Sequence, residues 1–328
     1  MRIEDYFYIY GIEKGRDFVR YLVIPRRSDE EIAALLAELS AEYDASLKWR
    51  YGELILELKR KKMKAWINLV LLIATFFSTS FFGSLLYGEP DIFGGLLFSV
   101  AILFILGSHE LAHYAFARRW KMRTSLPYFI PFPTIIGTLG AIIKHSGVIP
   151  SRRALVEVGA SGPIVGFLAS LIVTYIGLGI PFNPQFERGE GIIMLGTSIA
   201  FELMVRISGF SGEFLHPIAF AGWVGILLTF FNLLPIGQLD GGHVARALIG
   251  EKSEIVSKTF PIFLIIMGLF FGEIWIFWGI ILVFFSAIKH PKPINDERLD
   301  LKGFLLGISC YIIAILCFTP RPFIFELQ

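Results

Sequence analysis

The chain has 328 residues, of which 55% are hydrophobic, 15% aromatic and only 18% charged. With a mean hydropathy of +0.65 and a charged fraction below the ~25% of ordinary domains, it cannot be a soluble globular protein. The net charge of +2 excludes a nucleic-acid-binding protein that works through bulk positive charge. Both cysteines, Cys310 and Cys317, lie in one apolar run, so no disulfide framework is expected.

Residues 1–62 carry charges throughout and contain no apolar run longer than a strand, which predicts a small soluble α+β domain. Residues 18–24 are β-branched and aromatic enough for a strand. Ser28 and Glu31 form a capping box that opens a helix reaching about residue 43. Residues 46–51 and 53–59 are typical of two further strands around Gly52. No motif in this domain indicates a chemical function.

From residue 65 onward, apolar stretches of spanning length dominate, since a helix needs about 20 residues to cross a hydrocarbon core of about 30 Å. We predict an all-α polytopic membrane protein with about six or seven transmembrane helices. Four convincing spans are residues 65–87, 94–117, 154–180 and 216–234, and three shorter candidates are residues 260–271, 274–288 and 303–318. Residues 192–207 are also apolar, but Glu202 and Arg206 at i,i+4 indicate a re-entrant or interfacial helix with paired charges.

Positive residues near the predicted spans indicate one orientation. They precede the first and third spans and follow the second and fourth: Lys59, Arg60, Lys61, Lys62, Lys64; Arg152, Arg153; Arg118, Arg119, Lys121, Arg123; Arg246, Lys252, Lys258. Residues 88–91, between the first two spans, have none. The positive-inside rule therefore places the N-terminus in the cytoplasm, and the ends of the second and fourth spans on the cytoplasmic side.

The second span contains His109-Glu110-Leu111-Ala112-His113, an H-E-x-x-H pattern. Two imidazoles four residues apart project from one helical face about 6 Å apart and can hold one Zn²⁺. Glu110 is rotated about 100° from His109, which suits a general base that does not bind the metal. The alternative is a chance match on a buried helix face. Burying a charged Glu beside two His in a spanning helix costs a few kcal/mol, which makes a match without function less favoured.

Residues 124–147 contain three prolines and are apolar without favouring a straight helix. We expect a re-entrant hairpin that dips into the bilayer. An interfacial loop anchored by Tyr128, Phe129 and Phe132 is an equal alternative.

A catalytic zinc ion takes three protein ligands and keeps an open position, so a third ligand is expected at the same depth. After Asn232, the fourth span runs into Pro235 and Gly237, which break the helix before Asp240. Broken backbone at membrane depth is tolerated only around a cavity or inside protein, so we predict Asp240 as the third ligand. Alternatively, Asp240 caps a helix over residues 243–249. His243 is a rival ligand for which an outer or structural role is favoured.

The paired motifs resemble those of the site-2 protease family of intramembrane zinc metalloproteases, over roughly residues 65–288. That family shares H-E-x-x-H with a later N-x-x-P…L-D-G motif, which here begins at Asn232 and includes Asp240. Residues around the start of the fourth span look most like the PDZ-less branch with chloroplast-type and prokaryotic members: His216, Pro217, Ala221, Gly222, Trp223.

The resemblance implies a ligand set and roles for the site. His109, His113 and Asp240 ligate one catalytic zinc ion, Glu110 is the catalytic base, and Asn232 holds substrate. Residues 161–166 look like the family's Gly-Pro motif, although helix packing of small residues explains them equally well. In related proteases the region of residues 124–147 is extended structure beside the zinc, where a strand edge could pair with an unwound substrate.

The expected function is hydrolysis of peptide bonds within or near transmembrane segments of membrane-protein substrates, by an integral, multi-pass membrane enzyme in contact with lipid. The expected domains are a cytoplasmic domain at 1–62, the metalloprotease core at 63–290, and a C-terminal helix and tail at 291–328. The rivals are a divalent-metal transporter, which should show inverted repeats and a polar crossing path, and a catalytically silent protein that binds membrane segments. The sequence indicates no oligomeric state.

Overall fold

A computed structural model describes residues 3–15, 17–39, 43–50, 52–60, 65–146, 149–184, 193–287 and 293–325. The chain divides into two compact units, Met1–Lys64 and Ala65–Gln328. The last positions of the basic run before the first span, residues 61–64, lie outside the described residues, as do the predicted element ends at 192 and 288.

The first unit is a four-stranded antiparallel sheet covered on one face by a helix. Its elements are β1 (Phe7–Lys14), β2 (Phe18–Pro25), α1 (Asp29–Leu39), β3 (Tyr43–Arg50) and β4 (Glu53–Arg60), with strand order β1-β2-β4-β3. Helix α1 begins at the predicted capping box, where the Glu31 backbone N–H donates to Ser28 Oγ at 3.4 Å. Strand β1 was not predicted: residues 7–12 are a continuous apolar and aromatic run without alternation, Gly11 interrupts it, and the pairing with β2 is irregular between Ile9 and Gly11.

The second unit is mostly helical. Its helices are α2 (Ala65–Ser84), α3 (Ile92–Arg119), α4 (Arg152–Leu178), α5 (Ile199–Ser208), α6 (Pro217–Asn232), α7 (Asp240–Ile249), α8 (Ser253–Phe271), α9 (Glu273–Ser286) and α10 (Leu301–Cys317). Within the described residues, four helical stretches are long and apolar enough to cross a membrane: Ala65–Tyr87, Ile92–Arg119, Arg152–Leu178 and Asp240–Phe271. The chain is therefore an integral membrane protein.

The fourth of these stretches differs from the prediction. The expected span at residues 216–234 is a helix of 16 residues, α6, or about 24 Å, which is shorter than a hydrocarbon core of about 30 Å. Pro217 starts this helix and the Pro235 region ends it. The long stretch is instead Asp240–Phe271, in which α7 and α8 join through a 3₁₀ turn at Gly250–Lys252.

Residues 192–207 also differ from the prediction of one helix. Residues Ile193–Leu195 form strand β9, which pairs antiparallel with β10 (Phe323–Phe325), and α5 starts only at Ile199. Ser198 caps α5 by accepting from the Phe201 backbone N–H at 3.2 Å. The expected ion pair is present, with Arg206 Nη2 2.6 Å from Glu202 Oε1.

Helix α4 is the centre of the membrane unit. In the most apolar part of α4, 72% of the residues are buried inside the protein, whereas the buried share in the corresponding part of the first span is 22%. It packs against α3, α6, α7 and α10. Small residues allow this close approach; a Cβ on Gly177, for example, would collide with the Ala219 backbone of α6.

The proline-rich segment forms two small antiparallel ladders. Strand β5 (Arg123–Thr124) pairs with β8 (His145–Ser146), and β6 (Tyr128–Pro131) pairs with β7 (Thr138–Ile142). The hairpin lies along α2, where the Asn68 amide donates to the Leu126 and Pro127 carbonyls at 2.8 Å each. Gly137 has φ 73° and packs directly on the α2 backbone, which leaves no room for a Cβ.

An ion-pair cluster fastens the segment before α10 to the start of α4 and to the last turn of α7. Asp296 Oδ1 accepts from Arg152 Nε at 2.6 Å, and Asp296 Oδ2 accepts from Arg246 Nη2 at 3.1 Å. These hydrogen bonds, that from Arg152 first, lower the pKa of Asp296 from 3.8 to about 2.

Stability should therefore depend on pH through Asp296. A carboxyl whose pKa is lowered in the folded state stabilises the fold above its unfolded pKa of 3.8 and stops doing so as the pH falls through about 2. In detergent, we expect the difference in Tm between the parent and Asp296→Asn to be constant above about pH 5 and to shrink steadily below about pH 4. A difference that persists undiminished to about pH 2 would contradict this assignment.

Candidate metal centre

Two histidines of α3 meet in the interior of the membrane unit. His109 and His113 lie one helical turn apart and are 8% and 4% exposed. Their Nε2 atoms are 3.1 Å apart. Residues four apart on a helix share a face, so the H-E-x-x-H spacing alone directs both rings to one point.

Asp240 reaches the same point from a different part of the chain. Helix α6 ends at Asn232, a turn follows, and α7 begins at Asp240. Asp240 Oδ2 lies 3.2 Å from His109 Nε2 and 3.1 Å from His113 Nε2. Leu239 holds the cap position of α7, so the alternative in which Asp240 caps a later helix is not what the structure has.

The turn between α6 and α7 is held by the helices that follow it. Gly237 has φ 49°, and its backbone N–H donates to Ser257 Oγ of α8 at 2.7 Å. A Cβ at this glycine would collide with the Phe285 carbonyl of α9. The turn thus requires glycine for both its backbone angle and its close packing.

The three ligand atoms fit a tetrahedral metal ion. Their separations of 3.1 to 3.2 Å form a nearly equilateral triangle. Tetrahedral Zn²⁺ with nitrogen and oxygen ligands at about 2.0–2.1 Å places those ligands about 3.3 Å apart and leaves a fourth position open. Among the described residues, His109, His113 and Asp240 are the group of three whose donor atoms could hold one ion, and His243 is not in it.

Helix α4 orients His113 through the ring nitrogen that faces away from Asp240. Its Val158 carbonyl lies 2.8 Å from His113 Nδ1. A carbonyl can only accept, so Nδ1 must carry the proton and Nε2 presents its lone pair to the ligand triangle. The backbone of α4 therefore selects the ring tautomer that a metal requires.

The same face of α4 makes room for both rings. A Cβ on Gly162 would overlap the His113 ring, and one on Gly166 would lie 2.9 Å from His109 Nδ1. One turn earlier, a Cβ on Gly159 would lie 3.1 Å from the His243 Cβ. The sequence pattern left residues 161–166 divided between a family motif and helix packing. The spacing of Gly159, Gly162 and Gly166 at i, i+3 and i+7 was the signal that one face of α4 carries no side chains at these positions.

Glu110 lies beside the ligand triangle and outside it. It is 7% exposed and lines a cavity together with Ile143, just after β7. The proline-rich hairpin thus lies beside the carboxylate residue of the H-E-x-x-H motif. Nothing in the spacing of residues 124–147 indicated this placement.

Two cavities meet at the site. The larger, about 640 Å³, contains the three ligands and Glu110 and is also lined by β7, the following Ile143 and Lys144, and His243. The smaller, about 80 Å³, extends away from the ligands between apolar residues that include Ile105, Leu106 and Leu228. His109, Glu110 and Asn232 border both cavities. A chain in the larger cavity could therefore place one side chain in the smaller.

A helical membrane unit with a buried His-Glu-x-x-His and a carboxylate brought in by a broken helix defines a membrane-embedded metallopeptidase fold. Residues 97–273 match the model of peptidase family M50. The chain belongs to peptidase family M50, and the resemblance to site-2 proteases predicted from the two motifs is confirmed.

Plant chloroplast proteins are among the relatives. The chain is 30% identical to Arabidopsis thaliana "Probable zinc metalloprotease EGY2, chloroplastic" over 70% of this chain and 43% of that protein. It is 27% identical to "Probable zinc metalloprotease EGY1, chloroplastic" over 69% and 43%, and 25% identical to "Probable zinc metallopeptidase EGY3, chloroplastic" over 91% and 56%, both from the same plant. The chain thus spans roughly half the length of these relatives or less. No solved structure matches the chain.

A methyl group at Gly162 should disturb the site directly. In Gly162→Ala, the new Cβ would displace the His113 ring, so we expect Zn²⁺ affinity to fall by about tenfold or more. The overpacking should also lower stability by about 1–3 kcal/mol. Both are measured on purified protein, by competition with a chromophoric chelator and by thermal unfolding.

Gly179→Ala is the matched control. Gly179 ends α4 with φ −79°, and its nearest Cβ contact would be 3.4 Å away. This variant should bind Zn²⁺ as the parent does. Equal affinities of Gly162→Ala and the parent would mean that α4 does not shape the ligand triangle.

Proposed function

We propose that the protein is an intramembrane zinc metalloprotease that hydrolyses peptide bonds within or near transmembrane segments of other membrane proteins. The observation that carries this proposal is the triangle of His109, His113 and Asp240 donor atoms with the Glu110 carboxylate beside it. Membership of peptidase family M50 and relatives named zinc metalloproteases support it.

In this proposal, His109, His113 and Asp240 hold one zinc ion, and Glu110 is the catalytic base. Zinc, when bound, acts as a Lewis acid that makes water a nucleophile near neutral pH. Glu110 takes a proton from the attacking water and passes it to the amine that leaves. The tautomer of His113 is held by the Val158 carbonyl, and Glu110 lines the same cavity as Ile143 of the proline-rich segment.

The substrate lies in the larger cavity, between β7 and the end of α6. Strand β7 pairs on one side only, with β6, among the described strands, so its second edge offers backbone groups to an unwound peptide. Asn232 borders both cavities and can donate to and accept from a peptide bond. A helical substrate hides its carbonyls in its own hydrogen bonds, so residues that weaken the helix should favour cleavage.

A polar path across the membrane, which a metal transporter needs, is not favoured by the packing beyond the site. Phe98, Phe220 and Trp223 stack on one another at centroid distances of 6.4 and 5.8 Å, and Phe98 and Trp223 are buried. A catalytically silent binding protein would not need a carboxylate beside the ligands. A hydrolase needs a general base beside the metal, which Glu110 supplies, whereas a metal transporter has no need of such a base.

The membrane arrangement of this proposal has about six or seven spans, with α6, α9 and α10 as shorter crossing helices and β6–β7 as a re-entrant hairpin. The aromatic side chains of the hairpin divide: Phe129 is 7% exposed and packs inside, whereas Phe132 is 46% exposed. Residues 1–62 form a cytoplasmic domain, residues 63–290 the protease core, and residues 291–328 the C-terminal helix and tail. The active site opens toward the cytoplasm.

Proteolysis should require Glu110 while metal binding does not. In detergent, with a transmembrane substrate that contains a helix-breaking segment, Glu110→Gln should reduce cleavage by about 10³-fold or more and leave bound zinc at the parent level. His109→Ala, His113→Ala and Asp240→Ala should each lose zinc itself, because two ligands do not hold the ion. Cleavage is read by gel and mass spectrometry, and zinc by atomic emission.

Glu202→Gln is the matched control, because Glu202 is exposed and its ion pair within the described residues is with Arg206 of the same helix. It should cleave at the parent rate. Parental cleavage by Glu110→Gln would refute the catalytic assignment. Zinc flux into liposomes that depends on His109 and Asp240, without proteolysis, would favour the transporter instead.

Orientation is testable by cysteine labelling in intact cells. The native Cys310 and Cys317 are buried and should give little background. In the proposed topology, Glu89→Cys, in the loop after the first span, reacts with a membrane-impermeant maleimide from outside, and Lys252→Cys reacts only after lysis. The reverse labelling pattern would invert the topology.

A further inference from the structure

The C-terminal part of the chain contacts α7, the helix that begins with Asp240. We propose that residues 293–300 and α10, which lie beyond the residues matched by the family model, position Asp240 for metal binding through Asp296 and Tyr311. This inference rests on the proposed metal site and adds two positioning residues to it.

The first contact reaches the residue next to the ligand. Tyr311 of α10 donates its phenolic O–H to the Gly241 carbonyl at 2.8 Å. Gly241 is in the first turn of α7, and a Cβ there would collide with the Leu233 and Leu234 carbonyls of the preceding turn. The first turn of α7 is therefore held between that turn on one side and Tyr311 on the other.

The second contact lies five residues further along, in the last turn of α7. Arg246 is 2% exposed, and its two terminal nitrogens donate to Asp296 Oδ1 and Oδ2 at 3.3 and 3.1 Å. Such a bidentate pair fixes both direction and distance. A buried guanidinium without its carboxylate would have to move toward water, and α7 would move with it.

Asp296 also joins α7 to α4. Arg152, at the start of α4, donates to Asp296 Oδ1 at 2.6 Å. The segment is further fixed by its backbone, since Ile294 and Asn295 donate to the Ile149 and Pro150 carbonyls at 2.9 and 3.1 Å. One carboxylate thus sets the distance between the helix that carries Asp240 and the helix that orients His113.

Metal binding is sensitive to such a distance. The ligand triangle has sides of 3.1 to 3.2 Å, and productive geometry must be held within about 0.5 Å. Tyr311 holds the first turn of α7 and Asp296 holds its last turn, so together they set the position and the tilt of the helix. Losing groups that orient metal ligands typically costs about 10–100-fold in metal affinity.

The test compares Zn²⁺ affinity of the full chain in detergent, by competition with a chromophoric chelator, and the visible absorption of the Co²⁺-substituted protein. We expect Tyr311→Phe and Asp296→Asn each to weaken Zn²⁺ binding by about tenfold or more and to alter the Co²⁺ bands. Tyr311→Phe removes one oxygen and keeps the ring, so it retains the packing of α10.

Two control variants remove matched groups that do not contact α7. Asp300→Asn breaks an ion pair with Arg153 in the same segment, and Asn can still cap α10 as Asp300 does. Tyr175→Phe changes a half-exposed tyrosine of α4. Both should bind Zn²⁺ with the parent affinity and give the parent Co²⁺ spectrum.

Parental affinity and spectrum in Tyr311→Phe would overturn the proposal, as would an equal loss in Asp300→Asn, which would mean general loosening of the segment. If Asp296→Asn fails to fold, Tyr311→Phe decides. The His113→Ala variant separates this inference from the proposed function. If His113→Ala binds Zn²⁺ with the parent affinity, the proposed metal site itself is wrong. If His113→Ala loses zinc but Tyr311→Phe binds it normally, only the positioning role is refuted.

Discussion

Three polar atoms, two imidazole nitrogens and one carboxylate oxygen, lie 3.1 to 3.2 Å apart inside a bundle of apolar helices, and the surrounding structure is built around that cluster. Buried polar groups are costly unless each has a partner, and the cost is greater where no water can enter freely. Helix α4 supplies such a partner, because its Val158 carbonyl accepts from His113. The glycines of the same helix leave the space that the two histidine rings occupy.

The site is assembled from elements that are distant in the sequence. Helix α3 carries both histidines and Glu110, while Asp240 is the first residue of a second helix, α7, which follows the turn after α6. Regular helices alone could not deliver the third ligand, because α6 would carry the chain past the site. The turn after Asn232 stops it there, and Ser257 and the α9 backbone hold that turn in place.

The cavities relate this geometry to substrate binding. The site opens into a space of about 640 Å³ that is large enough for water and is bordered by polar as well as apolar groups, while the smaller, mostly apolar cavity beyond Asn232 is suited to a hydrophobic side chain. The hairpin borders the same space: Ala141 and Ile142 of β7 line it together with Glu110, and β7 pairs only with β6 among the described strands. In the proposed function, one small sheet therefore lies beside both the catalytic base and the substrate.

Local patterns were sufficient for features that depend on neighbours along the chain. Apolar length predicted the first three spans, Ser28 and Glu31 predicted the start of α1, and the i,i+4 spacing of His109 and His113 predicted one shared face, because each follows from helix geometry over a few residues. A second motif with a helix break pointed to Asp240 for the same reason. Strand β1 was missed because its apolar run does not alternate and contains Gly11, and α6 was expected at full spanning length although Pro217 and the turn before Pro235 limit it to 16 residues.

Only the tertiary structure decided which distant groups meet. The tautomer of His113, the room for its ring beside Gly162, the placement of Ile143 beside Glu110 and the attachment of α7 by Tyr311 and Asp296 all depend on residues far apart in the chain. No periodicity encodes such pairings, because they depend on helix crossing positions that many weak packing contacts determine together. The sequence alone determined which residues are candidate ligands and what chemistry they offer, and the packing of α4 and α10 against α7 determined how those residues are held together.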